Sequence, residues 1–166
     1  MSTENSSINL ISKYDNIIIL KTFSKFFSLA GIRAGYMIVP NNLYNTINKI
    51  TNPYCINEIG RQMASIALND NNFIKETLFI NKKIKSSFFK SWKNLIISHT
   101  DKTVSIFLLH HKNTNINLQK EFSKFNIGVV SGCNYIGLGK NYARLRIPKE
   151  EDLEKVLQAF KYIDRL

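Results

Sequence analysis

Read only for its apolar and polar positions, the chain alternates short apolar runs with helical periodicities. Residues 1–15 are polar and rich in Ser and Asn, with one short helical pattern around Ile8 to Lys13. Asn16 to Leu20 is a continuous apolar run, the pattern of a strand covered on both faces. Gly35 to Val39 reads as a second strand, closed by Pro40, and Asn41 or Asn42 is placed to cap a helix running through Ile50. Asn52-Pro53-Tyr54 is a loop. From Glu58 to Leu68 the apolar positions recur at helical spacing, Asn69 to Asn72 interrupts them, and a further helical pattern runs from Phe73 to Leu95. Phe79, Ile80, Ile84, Phe88 and Trp92 fall on one side of that long helix.

The period then changes. Thr103 to His110 has the density of a strand, Leu118 to Phe125 is helical, and Ile127 to Val130 and Ala143 to Ile147 are short strands. Pro148 opens a last helix. Its first turn carries Glu150, Glu151 and Asp152, carboxylates that suit the positive end of the helix dipole. Leu153, Val156, Leu157, Phe160 and Ile163 form its apolar stripe. The predicted order is βαα, a long helix, then a β-α-β-β-α lobe, which is an α/β fold.

Composition narrows the possibilities. A chain of 166 residues can bury one sizeable core with a small second lobe. No apolar run approaches the ~20 residues that a membrane helix needs. Met1 to Ser7 is polar, without the apolar stretch of a signal peptide, and Cys55 and Cys133 lack metal-ligand spacing. Reduced thiols in a cytosol are the expectation. The formal charge of +11 invites a nucleic-acid reading, but the lysines are scattered among Asn and Ile, as in Lys82-Lys83-Ile84-Lys85. With no RNA-binding aromatic motif and no helix-turn-helix pattern, neither nucleic acid nor membrane is expected as a partner. His99, His110 and His111 match no metal or triad pattern, and Gly137-Leu138-Gly139 lacks the strand–helix setting of a nucleotide loop.

The chemistry concentrates after the first strand. Thr22-Phe23-Ser24-Lys25 is followed by Ala30-Gly31-Ile32-Arg33-Ala34-Gly35. A loop lysine can condense with an aldehyde, while hydroxyls and a guanidinium fork can hold a phosphate dianion. The small residues let backbone come close to a flat ring or a phosphate.

This stretch resembles the lysine loop of the class I/II aminotransferases, fold type I enzymes that use pyridoxal phosphate. The nearest branch is the histidinol-phosphate aminotransferases. The family pattern T-x-S-K, then A-G-x-R-x-G, is met in register. The resemblance implies that Lys25 condenses with the cofactor aldehyde and that Thr22, Ser24 and Arg33 hold the phosphate of pyridoxal 5'-phosphate. Phe26 departs from the small residue of most relatives and is more like the threonine-phosphate decarboxylases. Further on, Tyr135 and Gly137 sit in a loop before a strand that carries Arg144 and Arg146, two apart and so facing the same way. The family arginine that grips the substrate α-carboxylate leads this strand, which implies that role for Arg144.

Two more departures matter. The arginine with which histidinol-phosphate aminotransferases grip the substrate phosphate belongs roughly where Ser131 or Gly132 stands, which favours an ordinary amino acid as substrate. The family's D-E-A-Y, whose aspartate pairs with the pyridinium nitrogen, has no counterpart, and Asp15 is not a positional match. The resemblance covers nearly the whole chain but only about the last half of a family member. It implies the end of a large cofactor-binding domain over 1–75, and a bridging helix with a small C-terminal domain over 76–166. The implied activity is amino-group transfer between an amino acid and a 2-oxo acid, in a homodimer or with a complementing N-terminal half. The alternatives are a threonine-phosphate decarboxylase-like enzyme and an inactive remnant.

Overall fold

The computed structural model describes residues 7–166. The fold is α/β, and the chain divides into two compact units, Met1–Ile74 and Lys75–Leu166.

In the first unit β1 (Ile19–Thr22) pairs antiparallel with β2 (Gly35–Ile38), Thr22 opposite Gly35. The expected burial of the first strand on both faces is not met. Ile19 is buried, but Leu20 is 71% exposed. Among the described residues β2 is the only strand beside β1, and of the apolar run Ile19 faces the covered side while Leu20 faces the open one. Helix α1 (Asn41–Ile50) begins as expected, but neither Asn41 nor Asn42 caps it. Pro40, extended at φ −62° and ψ 150°, takes the cap position without a side-chain bond, and Asn42 Nδ2 donates to the Asp15 carbonyl at 3.1 Å. Helix α2 (Glu58–Asn69) is capped by Asn57, whose Oδ1 accepts from Gly60 N at 2.7 Å. The core here is small: Phe23, Ala34 and Ala64 are buried, with Phe27, Leu29, Ile32, Ile56 and Ala67 packed on them.

Helix α3 (Asn71–Ser86) starts with Asp70 Oδ1 accepting from Phe73 N. It ends at Ser86, well short of Leu95. The amides of Phe88 and Phe89 both turn back to the Lys85 carbonyl, and Lys90 N bonds to the Phe88 carbonyl. The spacing of Ile84, Phe88 and Trp92 that suggests continued helix is satisfied by this turn. Phe88 is fully buried, and Trp92 Nε1 donates to its carbonyl at 2.8 Å. The tail of the expected helix is instead turn and loop over 87–94, and its last residue, Leu95, begins a strand, β3 (Leu95–Ile97).

The second unit is a four-stranded antiparallel sheet of order β3-β4-β6-β5, formed with β4 (Ile106–His111), β5 (Val130–Ser131) and β6 (Tyr142–Arg146). Helices α4 (Leu118–Ser123) and α5 (Leu153–Ile163) complete it. A 3-10 turn over Glu150–Asp152 precedes α5, so the three carboxylates sit ahead of the α-helix proper. Phe88, Phe107, Phe122 and Phe160 meet in the core, with Phe88 and Phe160 ring centres 5.0 Å apart. Asp164 joins the end of α5 to the start of β3. Its carboxylate accepts from the amides of Lys93, Asn94 and Leu95 at 2.7–2.9 Å.

Candidate active site

The lysine loop is built from its buried residue outward. Phe23 is 3% exposed; its amide bonds to the Ala34 carbonyl at 3.3 Å, and its carbonyl accepts from Leu29 N at 3.1 Å. Those bonds close the loop and leave Thr22, Lys25 and Arg33 exposed, with Ser24 half-buried. Phe26 belongs to a ring cluster, edge-on to Phe27 at 5.0 Å and to Phe73 at 6.3 Å. That packing gives a bulky residue a purpose at this position. Two loop residues that are not glycine adopt the left-handed region, Ser28 at φ 56° and Arg33 at φ 54°. Arg33 ends a 3-10 turn over Ala30–Ile32, and its guanidinium donates to the Ala30 carbonyl at 3.1 Å. Gly35 is demanded by close approach, since a Cβ there would lie 2.9 Å from the Lys21 carbonyl oxygen.

The donor set of this loop suits a phosphate dianion. It offers two hydroxyls, a guanidinium and an amine, and no Asp or Glu occurs between Asp15 and Glu58 to oppose an anion. The space a Cβ would take at Gly31 is open, with no heavy atom within 4 Å.

Arg144 lies in the other unit. It is on β6, an interior strand of the sheet, opposite Leu108 on one side and Val130 on the other. Arg144 and Arg146 share the exposed face of β6, while Ala143 and Leu145 between them are buried. A groove of about 360 Å³ is lined by Arg144, Tyr135, Leu138, Ser98, His99, Thr100 and the first half of β4. Arg146 is not among its lining residues. The Arg144 guanidinium carbon lies 5.8 Å from the centre of the Tyr135 ring, which stations an aromatic face beside the cation. Gly137, at φ 83°, makes the turn of that loop.

The neighbouring Ser131 and Gly132 face inward. Ser131 is buried and its Oγ accepts from Cys133 N at 3.3 Å. A Cβ on Gly132 would overlap the Gly139 carbonyl and lie 2.5 Å from Tyr142 Cβ. Neither backbone position presents a side chain to the groove.

His110 and His111 end β4 outside the groove. His111 is buried with Nδ1 accepting from Asn113 N at 3.0 Å, and His110 stacks on Tyr142 at 4.8 Å. Burial, and then the neighbouring His111, push the His110 imidazole below its ordinary value. Among the described residues no cluster of His, Cys, Asp or Glu is arranged for a metal ion, and no helix is long and apolar enough to cross a membrane.

Two polar residues of α3 escape a reading of the sequence. Asn81 and Lys85 are buried, and both bond to the connection between β3 and β4. Burial pushes the Lys85 ammonium down to about 8, with the Asp101 charge pulling the other way. The one hint in the sequence is that Lys85 stands three and four residues before Phe88 and Phe89, the spacing that shares a helix face.

Known proteins resemble this chain over most of its length. The family model for aminotransferase class I and II matches residues 1–160. "Histidinol-phosphate aminotransferase 2" of Oceanobacillus iheyensis is 31% identical over 94% of this chain and 43% of its own length. The histidinol-phosphate aminotransferase of Buchnera aphidicola subsp. Schlechtendalia chinensis is 31% identical over 99% of this chain and 47% of its own. The crystal structure of the histidinol-phosphate aminotransferase from Clostridium acetobutylicum superimposes with a TM-score of 0.80 at 28% identity, over 99% of this chain and 50% of that one. The chain thus spans about half the length of the relatives it matches.

Proposed function

This chain belongs to the class I and II aminotransferases, and from that premise we propose that it takes part in pyridoxal-phosphate-dependent transfer of an amino group between an amino acid and a 2-oxo acid. The observation that carries the reading is the lysine loop: Lys25 in a stretch of donors with no carboxylate near it in sequence. When bound, the cofactor supplies an aldehyde and an electron-withdrawing ring that stabilises negative charge at the substrate Cα. Thr22 and Ser24 would give hydroxyl donors to its phosphate, and Arg33 would give a charged fork. With the cofactor bound, the Lys25 amine would hold its aldehyde and would serve as the general base at the substrate Cα. In the second unit Arg144 receives the α-carboxylate, with the Tyr135 ring limiting how its guanidinium can turn.

Residues 1–75 are read as the end of the cofactor domain, and 76–166 as the bridging helix and small domain. The buried Ser131 and crowded Gly132 leave no cation for a substrate phosphate at those positions, which supports a substrate without one. Exposed apolar side chains on the first unit, Leu20 and Ile59 among them, support work against a further polypeptide surface. That surface is a second copy of the chain or a segment that supplies the rest of the relatives' length. Two free thiols fit a cytoplasmic setting.

The test is covalent trapping. Pyridoxal phosphate is added to the purified chain, the adduct is reduced with borohydride and the peptides are mapped. The pyridoxyl group is expected on Lys25; label centred on Lys21 or spread over the surface lysines would overturn the assignment.

A further inference from the structure

The connection from β3 to β4, residues 98–105, forms one side of the Arg144 groove, yet it has almost nothing apolar to hold it. Its sequence is Ser-His-Thr-Asp-Lys-Thr-Val-Ser, and its one large apolar side chain, Val104, is 47% exposed. Its order comes from polar bonds: strand bonds at its two ends, bonds within the connection, and four that lead to α3. Lys85, with no exposed surface at all, donates to the carbonyls of Asp101 at 2.6 Å and Val104 at 2.7 Å. Its Nζ also reaches the Thr100 hydroxyl and the Ile106 carbonyl, each at 3.4 Å. One turn earlier, Asn81 Nδ2 donates to the Thr103 carbonyl at 2.9 Å. Within the connection, the Asp101 carboxylate accepts from the amide and hydroxyl of Thr103.

Every acceptor of that ammonium therefore lies between Thr100, which lines the groove, and Ile106, which begins β4. A buried ammonium is an expensive way to fill space, because an apolar side chain of similar size needs no partners. Its geometric effect is to draw several carbonyls to a single point and so give a polar loop one conformation. We propose that Lys85 is a positioning residue for the substrate groove: it gathers the β3–β4 connection from beneath and fixes the wall, Ser98 to Thr100, that lines the groove with Arg144. The proposal rests on the reading of Arg144 as the carboxylate contact.

The test uses the full chain and two readouts besides turnover, with 2-oxoglutarate as the probe ligand. In Lys85→Met, amide hydrogen exchange at residues 99–104 is expected to quicken about tenfold while the amides of α5 keep their rates. The dissociation constant of 2-oxoglutarate is expected to rise roughly tenfold, as displaced groove walls allow. Lys85→Arg, which keeps the charge and several donors, is expected to restore both to within about twofold. Faster exchange throughout the second unit, or a loosened connection with unchanged 2-oxoglutarate affinity, would reduce Lys85 to a structural residue and overturn the proposal. Arg144→Ala separates the premise: if it binds 2-oxoglutarate as the parent does, the reading of the groove fails and the proposal goes with it. Should Lys85→Met not fold, Asn81→Ala removes the other α3 bond to the same connection. It is then expected to quicken those amides about threefold and weaken 2-oxoglutarate binding in step. Without that local effect the proposal is wrong.

Discussion

Arg33 holds a left-handed backbone angle, φ 54°, which costs an arginine and an alanine about the same, roughly 1–2 kcal/mol. Arg33→Ala therefore removes the guanidinium without adding backbone strain. A charged hydrogen bond is worth roughly 1.5–3 kcal/mol, so pyridoxal phosphate affinity should fall about tenfold to a hundredfold. Titration by visible absorbance reads this directly; an unchanged dissociation constant would remove Arg33 from the phosphate site. Lys85 calls for a different measurement. Its folded value, about 8, lies below its ordinary 10.5, so between those limits the unfolded chain binds more protons than the folded one. The unfolding free energy contributed by Lys85 should thus rise with pH from about 8 to 10.5 and stay flat on either side, by at most about 3 kcal/mol. Urea titrations of the parent and Lys85→Met across that window isolate this slope from other lysines and tyrosines. A parallel pair of curves would show that burial leaves Lys85 unshifted.

At the scale of elements, the end of α5 and the start of β3 are joined by one carboxylate. Desolvation pushes Asp164 up, but the amides of Lys93, Asn94 and Leu95, and then His111, outweigh it and hold the group below its ordinary 3.8. Its stabilising share is whole above that value and fades as pH falls through the lower folded one. Asp164→Ala at neutral pH leaves three amides seeking partners and should cost about 1–3 kcal/mol by denaturant titration. A loss within error would mean that water serves those amides equally well. Elements with long, regular patterns are the ones legible beforehand: α2 and α5 lie almost where their apolar spacing puts them. The start of β2 and the left-handed Arg33 agree with a small-residue run that needs close backbone approach. The stop of α3 and the existence of β3 were not legible. Ile84, Phe88 and Trp92 satisfy a helical period and a buried turn equally, and three residues, Leu95–Ile97, are too few to show an alternation. The face of β1 was hidden for a related reason: an apolar run records what a strand can bury, and Leu20 buries little here. Arg144's place on a strand after the Tyr135 loop was legible, whereas Lys85 looked like one more surface lysine among many.

At the scale of the molecule, the two units differ in what holds them. The second has fourteen buried apolar residues in its core, the first three, among the described residues. Because burial supplies most of the stabilisation, the first unit should open at lower denaturant concentration and be cut first by protease. Limited chymotrypsin digestion is expected to begin after Tyr54, which is 89% exposed in the loop between α1 and α2, and to leave residues 95–166 intact. Early cuts within β4 or α5 would contradict this ranking. The two thiols make a further experiment simple. Cys55 and Cys133 are both exposed, they are the only cysteines of the sequence, and each belongs to a different unit. A maleimide donor and acceptor on these native sulfurs make the unaltered polypeptide its own molecular ruler, so that movement between its halves on adding pyridoxal phosphate or 2-oxoglutarate can be followed as a change in energy transfer, one molecule at a time.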